Sequence, residues 1–195
     1  MSKILSTFLV LLLAAGAGFA ADDKKAAGDK AKANEEMITS LEEDGDIDSF
    51  DIDAGVEATI EAKHSTVGKS SMKIVIPENS GDKWPGIGAF DQKFTSLFPE
   101  DWTPYSEIWI DVFNESETPI KMFWKFKSDG HTKQFGKDVS IPKGKPYTIK
   151  MKMKDIKNVN LASMMYMKLF VGNMPVPTII YIDNIRLIKK EAAAK

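Results

Sequence analysis

From about residue 38 to residue 190 the chain alternates short runs of β-branched and aromatic residues with clusters of Gly, Pro, Asn and Asp. Such punctuation marks strands separated by turns. It predicts strands near 56–63, 70–77, 87–94, 106–114, 119–127, 131–140, 146–153, 163–171 and 178–188. Turn chemistry supports the breaks: Asn114-Glu115-Ser116 stands before Pro119, Ser128-Asp129-Gly130 joins two runs, and Pro142-Lys143-Gly144 interrupts two more. Strands without a long helical period predict an all-β antiparallel β-sandwich, a jelly roll, rather than an α/β fold.

Successive side chains of a strand point to opposite faces, so alternation assigns a core side. Ile108, Ile110 and Val112 share one face and Trp109, Asp111 and Phe113 the other. Met122, Trp124 and Phe126 alternate with Lys121, Phe123, Lys125 and Lys127, whose lysines mark the solvent side. Met167, Leu169 and Val171 read as core, with Tyr166, Lys168 and Phe170 opposite. Three strands thus set aromatic and charged groups on a non-core face, and a merely soluble face does not need those aromatics.

The ends of the chain follow another pattern. Lys3, the apolar run Ile4 to Ala15 and Gly18-Phe19-Ala20 have the order of a secretory signal, which predicts cleavage after Ala20. The run is too short for the roughly 20 residues of a membrane span. Residues 21–37 are mostly Ala, Lys, Asp and Glu and are expected to be a flexible or briefly helical charged segment; 38–190 form the sandwich and 191–195 a charged tail. A length of 195 residues, 43% hydrophobic, suits one such domain.

Composition removes several classes of function. The formal net charge of −2 does not predict nucleic-acid binding. Arg186 is the only arginine, which disfavours a dedicated phosphate clamp. With no cysteine, disulfides, thiolate catalysis and thiolate-held zinc are excluded. Lack of disulfides in an exported chain fits a bacterial periplasmic, cell-surface or secreted protein. His64 and His131 fall in turn-like segments, no Gly-x-Ser-x-Gly is present, and the carboxylates concentrate between Glu42 and Asp53 in a charged loop. Gly86-Ile87-Gly88 lacks the third glycine and the following helix of a dinucleotide loop. The chain is therefore expected not to be an enzyme.

Leu41-Glu42-Glu43-Asp44-Gly45, Asp101-Trp102-Thr103-Pro104-Tyr105, Val112-Phe113-Asn114, Pro142-Lys143-Gly144 and Tyr181-Ile182-Asp183-Asn184-Ile185-Arg186-Leu187 make the sequence recognisable. It resembles the galactose-binding-like jelly-roll family, which includes many carbohydrate-binding modules of secreted glycoside hydrolases. The resemblance runs from Leu41 to Leu187, with Leu41 standing where an aromatic residue is common. It implies a core role for Trp102 and a structural calcium held by Glu42 and Asp183 with backbone carbonyls of the Gly68-Lys69-Ser70-Ser71 turn. The alternative is a solvated acidic loop, with Asp183 bonding its own strand end.

Sugar rings offer apolar C–H faces bordered by hydroxyls, so a site for them needs flat aromatic surfaces beside hydrogen-bonding groups. Trp109, Phe123, Tyr166 and Phe170 with Asp111, Lys125 and Lys168 meet that description, and Trp84, in a loop before Pro85, either caps the sandwich or adds a ring. Two functions follow. One is a non-catalytic polysaccharide- or glycan-binding protein; the other is a structural or adhesive envelope protein, a homo-oligomer using the same face as its subunit interface.

Overall fold

The computed structural model describes residues 34–172 and 176–191. The expected signal sequence, most of the charged segment and the last four residues lie outside the described residues. The strands are β1 (Glu35–Thr39), β2 (Asp51–Ile52), β3 (Glu57–Glu61), β4 (Ser71–Ile76), β5 (Gly86–Phe90), β6 (Tyr105–Asn114), β7 (Ile120–Ser128), β8 (Lys133–Ile141), β9 (Pro146–Lys152), β10 (Met164–Val171) and β11 (Thr178–Lys189). One short helix, α1 (Asp91–Leu97), follows β5. They form two antiparallel sheets, one ordered β3-β4-β11-β6-β9 with β1 also beside β11, the other β2-β5-β10-β7-β8.

The alternation of the sequence is realised as the core. Ile108, Ile110 and Val112 from one sheet and Met122, Trp124, Phe126, Met167, Leu169 and Val171 from the other are all buried. Each fully buried aliphatic side chain contributes about 1.5–3 kcal/mol of transfer free energy, so a slip in register that turned one row outward would be costly. Trp102 is fully buried against Phe94, Phe98 and Phe126, and its Nε1 donates to the Pro99 carbonyl at 2.9 Å, so the ring's one polar atom is satisfied inside the core.

Three local features depart from the sequence reading. Glu35–Thr39 pairs with Ile185–Ile188 of β11 and so begins the sandwich inside the segment expected to be flexible. The strand expected over 87–94 ends at Phe90; Asp91 adopts φ 49° and starts α1, which delivers Phe94 into the core. In β11 the pairing shifts between Asp183 and Arg186, where Asn184 has φ 50°. This extra residue moves the inward set from Ile180 and Ile182 to Ile185 and Leu187, while Asp183 and Arg186 both reach the outer side.

Candidate functional site

The outer face of the five-stranded sheet is built by rows of residues in register. Gly86, Phe170, Phe123 and Asp138 form one row; Gly88, Lys168, Lys125 and Gly136 the next; Phe90, Tyr166, Lys127 and Gln134 the third. Phe123 and Phe170 stack with centroids 5.4 Å apart, and Trp84 sets its ring edge-on to both, at 5.8 and 5.9 Å. Trp84 is 43% exposed, so the loop brings it to the face as an open ring rather than a buried cap. At the other end Phe90 stacks on Tyr166 at 4.4 Å, and Lys127 lies 4.2 Å above the tyrosine ring. The two aromatic groups stand four residues apart along β10, about 13 Å.

Between them lies the Lys168–Lys125 pair, flanked by Gly136, which leaves that side open, and by Gly88, over which the Phe90 ring sits. At Gly88 a methyl group would meet the Phe90 ring and stand 2.5 Å from the Met167 carbonyl oxygen, so the close approach of β10 requires glycine there. Lys168 pairs with Asp53 at 2.8 Å in a largely buried contact. Asp51 lies 3.4 Å from Lys93, Asp138 pairs with Lys121 at 2.9 Å, and Asp91 meets His131 at 2.7 Å. Burial pushes the Tyr166 hydroxyl up to about 12, with Asp53 and Asp51 adding to the shift, so it stays a neutral donor in ordinary buffers.

The expected residues thus divide between two places. Trp84, Phe123, Lys125, Tyr166, Lys168 and Phe170 come together on this face. Trp109 and Asp111 do not, because β6 belongs to the other sheet and their outer side faces the opposite way. Trp109 is wedged between the Lys150 ammonium, 3.6 Å from its ring centre, and the Arg186 guanidinium at 5.0 Å, while its Nε1 donates to Glu107. Asp111 is 7% exposed and accepts hydrogen bonds from Arg186, Asn184, Thr148 and Thr66, which leaves nothing to offer a ligand. Phe90, Lys127 and the two glycines belong to the face and were missed. Phe90 has the parity of Gly88 and Gly86 and was legible on that basis.

Glu42 and Asp183 do not fit the calcium cage that the resemblance implies. The loop between them turns N–H groups, not carbonyls, toward both carboxylates. Asp183 Oδ2 accepts from the Thr66 and Val67 amides at 2.6 and 3.0 Å and from the Thr66 hydroxyl, and Oδ1 accepts from the Asn184 amide. Glu42 Oε2 accepts from the Lys69 and Ser70 amides, while Oε1, like Asn184 Oδ1 beside Asp183, is buried without a hydrogen-bond partner. Calcium takes six to eight oxygens, and amide protons already occupy the lone pairs it would use. No group of three or more acidic or histidine side chains among the described residues is placed to hold a metal. Millimolar calcium is therefore expected to leave the melting temperature unchanged, since only a ligand of the folded state raises it. A calcium-dependent rise that is lost in Glu42→Gln would show that the loop inverts its peptides to bind the ion.

With this geometry established, comparison with solved structures defines the class: the chain has the jelly-roll fold of carbohydrate-binding modules. The family 11 module of the cellulosomal cellulase Lic26A-Cel5E of Clostridium thermocellum aligns over 82% of this chain and 98% of its own, with a TM-score of 0.59 and 14% identity. The CBM22-1 xylan-binding domain of Paenibacillus barcinonensis Xyn10C aligns over 81% and 97%, with a TM-score of 0.55 and 14% identity. An exo-β-agarase aligns at a TM-score of 0.67 and 14% identity over 80% of this chain but 26% of its own. The chain therefore spans about a quarter of that enzyme and nearly all of the isolated modules. No family model and no curated protein matches the sequence. Among the described residues no helix is long and apolar enough to cross a membrane.

Proposed function

We propose that this protein is exported and binds polysaccharide without cleaving it, on the outer face of the five-stranded sheet. The observation that carries the reading is the pairing of two aromatic groups, Trp84-Phe123-Phe170 and Phe90-Tyr166, across a glycine-flanked trough that holds polar side chains between them. Flat rings receive the apolar faces of sugar units, and Tyr166 and the lysines supply hydrogen bonds to their rims. Export is supported by the order of Lys3, the apolar run and Gly18-Phe19-Ala20.

The carboxylates around the face support a non-catalytic role. Glycoside hydrolysis needs one carboxylic acid held protonated near a second, ionised one. Asp51, Asp53 and Asp138 are instead each engaged by a lysine, and Asp91 by the His131 ring.

Trp84→Ala tests the reading, because this ring is exposed and its loss empties no core. Affinity for a retained polysaccharide should fall by on the order of 1–2 kcal/mol, roughly 5- to 30-fold, with the melting temperature kept. Trp109→Ala, on the other sheet, should leave affinity unchanged and lower stability. Light scattering supplies the opposing outcome: an oligomer that dissociates in Trp84→Ala and binds no glycan would make this face a subunit interface.

A further inference from the structure

We infer that the polysaccharide bound on this face is an anionic one, with a carboxylate or sulfate group seated over Lys125 and Lys127. The inference rests on the glycan-binding reading and adds the charge of the ligand to it. Its basis is an imbalance of partners. The four carboxylates that border the face are all engaged, Asp53 by Lys168, Asp138 by Lys121, Asp51 by Lys93 and Asp91 by His131. Lys125 and Lys127 have no carboxylate within ion-pair distance among the described residues. Two adjacent outward positions of one strand thus carry charge without an ion-pair partner, Lys125 between the aromatic groups and Lys127 over the Tyr166 ring.

The surroundings make that charge effective. Lys125 faces Lys168 directly across the β7–β10 pair and has Gly136 on its other side; Lys168 is taken up by Asp53, so Lys125 is the one of the two without a carboxylate partner. Lys127 lies over the Tyr166 ring, which removes water from one side of it. Burial lowers its pKa, the Lys125 charge lowers it further, and the more distant Asp91 opposes the shift without forming an ion pair. An anion placed there relieves the repulsion. Bulk charge cannot substitute for this local arrangement, since the whole chain is at −2 and repels a polyanion at long range. Lysines act as point charges and do not demand the planar fork that a guanidinium presents, so carboxylate and sulfate are both accommodated.

Affinity electrophoresis on matched polymers tests the inference: polygalacturonate against its methyl ester, alginate against its carboxyl-reduced form, and carrageenan against agarose. At low salt, retention by the charged member of at least one pair should exceed its neutral counterpart by about tenfold or more, and salt near 0.5 M should remove most of the difference as the screening length shortens. Which pair responds distinguishes carboxylate from sulfate. Lys125→Gln with Lys127→Gln should abolish the preference, while Lys152→Gln, on the other sheet, should keep it. Neither face lysine is ion-paired, so the double variant should melt like the parent. Equal retention of charged and neutral members, insensitive to the double variant but lost in Trp84→Ala, would overturn the anionic ligand and leave the glycan-binding face intact. No retention by any of the six polymers, or retention insensitive to both variants, would overturn both.

Discussion

Asp111→Ala should destabilise the protein by about 3–5 kcal/mol in urea unfolding, the cost of leaving a buried charge without its partner. Asp111 and Arg186 are each 7% exposed, with Nη1 to Oδ2 at 2.9 Å. The same carboxylate takes the Asn184 amide at 2.7 Å, the Thr148 hydroxyl at 2.7 Å and the Thr66 hydroxyl at 3.0 Å. It therefore ties β11 to β6, β6 to β9, and the loop before β4 to both. Without it, Arg186 keeps Glu35 at 3.5 Å and the carbonyl of Asn184, too little for a buried guanidinium. Burial pushes the Asp111 carboxyl up, but hydrogen bonds from Thr148 and Arg186, the guanidinium charge and the Asn184 amide outweigh it and hold the pKa below the usual range. A depressed folded pKa contributes stability above the unfolded value of about 3.9 and loses it as pH falls through the folded one. Asp111→Asn should accordingly flatten the acid limb of the stability curve below about pH 4. A loss under about 1 kcal/mol in Asp111→Ala would mean that the network is solvated and carries little.

That network also marks where sequence reading stops. Alternation within β6, β7 and β10 separates core from outer side correctly, because the period of two is local to each strand. It carries no information on which sheet a strand joins. Trp109 and Phe123 share a parity class and lie on opposite surfaces of the sandwich, since the placement of β6 beside β11 and of β7 beside β10 is set by long-range pairing. The bulge at Asn184 is equally hidden: Asp183-Asn184-Ile185-Arg186 reads as uniform strand until one left-handed residue resets the parity. β1 escaped notice because Glu35-Glu36-Met37-Ile38-Thr39 has the polarity of a tail, yet its backbone groups pair with β11 and its Glu35 helps neutralise Arg186. At Glu42 and Asp183 the residue types were those of a metal site, but the deciding quantity was the direction of the facing peptides, which side-chain identity does not encode. Of the expected residues, Phe123, Lys125, Tyr166, Lys168 and Phe170 share one face because they come from two strands that are neighbours in space.

Gly136→Val should raise stability and abolish most glycan binding in one substitution. Gly136 is exposed on β8, the edge strand of the five-stranded sheet, and sits opposite Lys125. A β-carbon there would have no neighbour closer than the Trp124 carbonyl oxygen, 3.9 Å away, so the site accepts a side chain without strain. Glycine within a strand costs roughly 0.5–1 kcal/mol relative to alanine, and a β-branched residue suits the pleated surface better still. The folded protein should therefore gain about 0.5–1 kcal/mol, read as a higher urea midpoint at unchanged slope. The same branched side chain stands in the trough beside the Lys125 ammonium, in the space a sugar ring needs to lie between the two aromatic groups. Affinity should fall by about tenfold or more, at least 1.4 kcal/mol. Opposite signs separate the two effects, since damage to the fold cannot lower binding while raising the midpoint. Gly88→Ala is the contrasting case, where the Met167 carbonyl and the Phe90 ring leave no room and stability should drop. A Gly136→Val protein that is stabilised and still binds its polysaccharide at full strength would mean that the ligand does not run across β7 toward β8, and the trough would lose its place as the site.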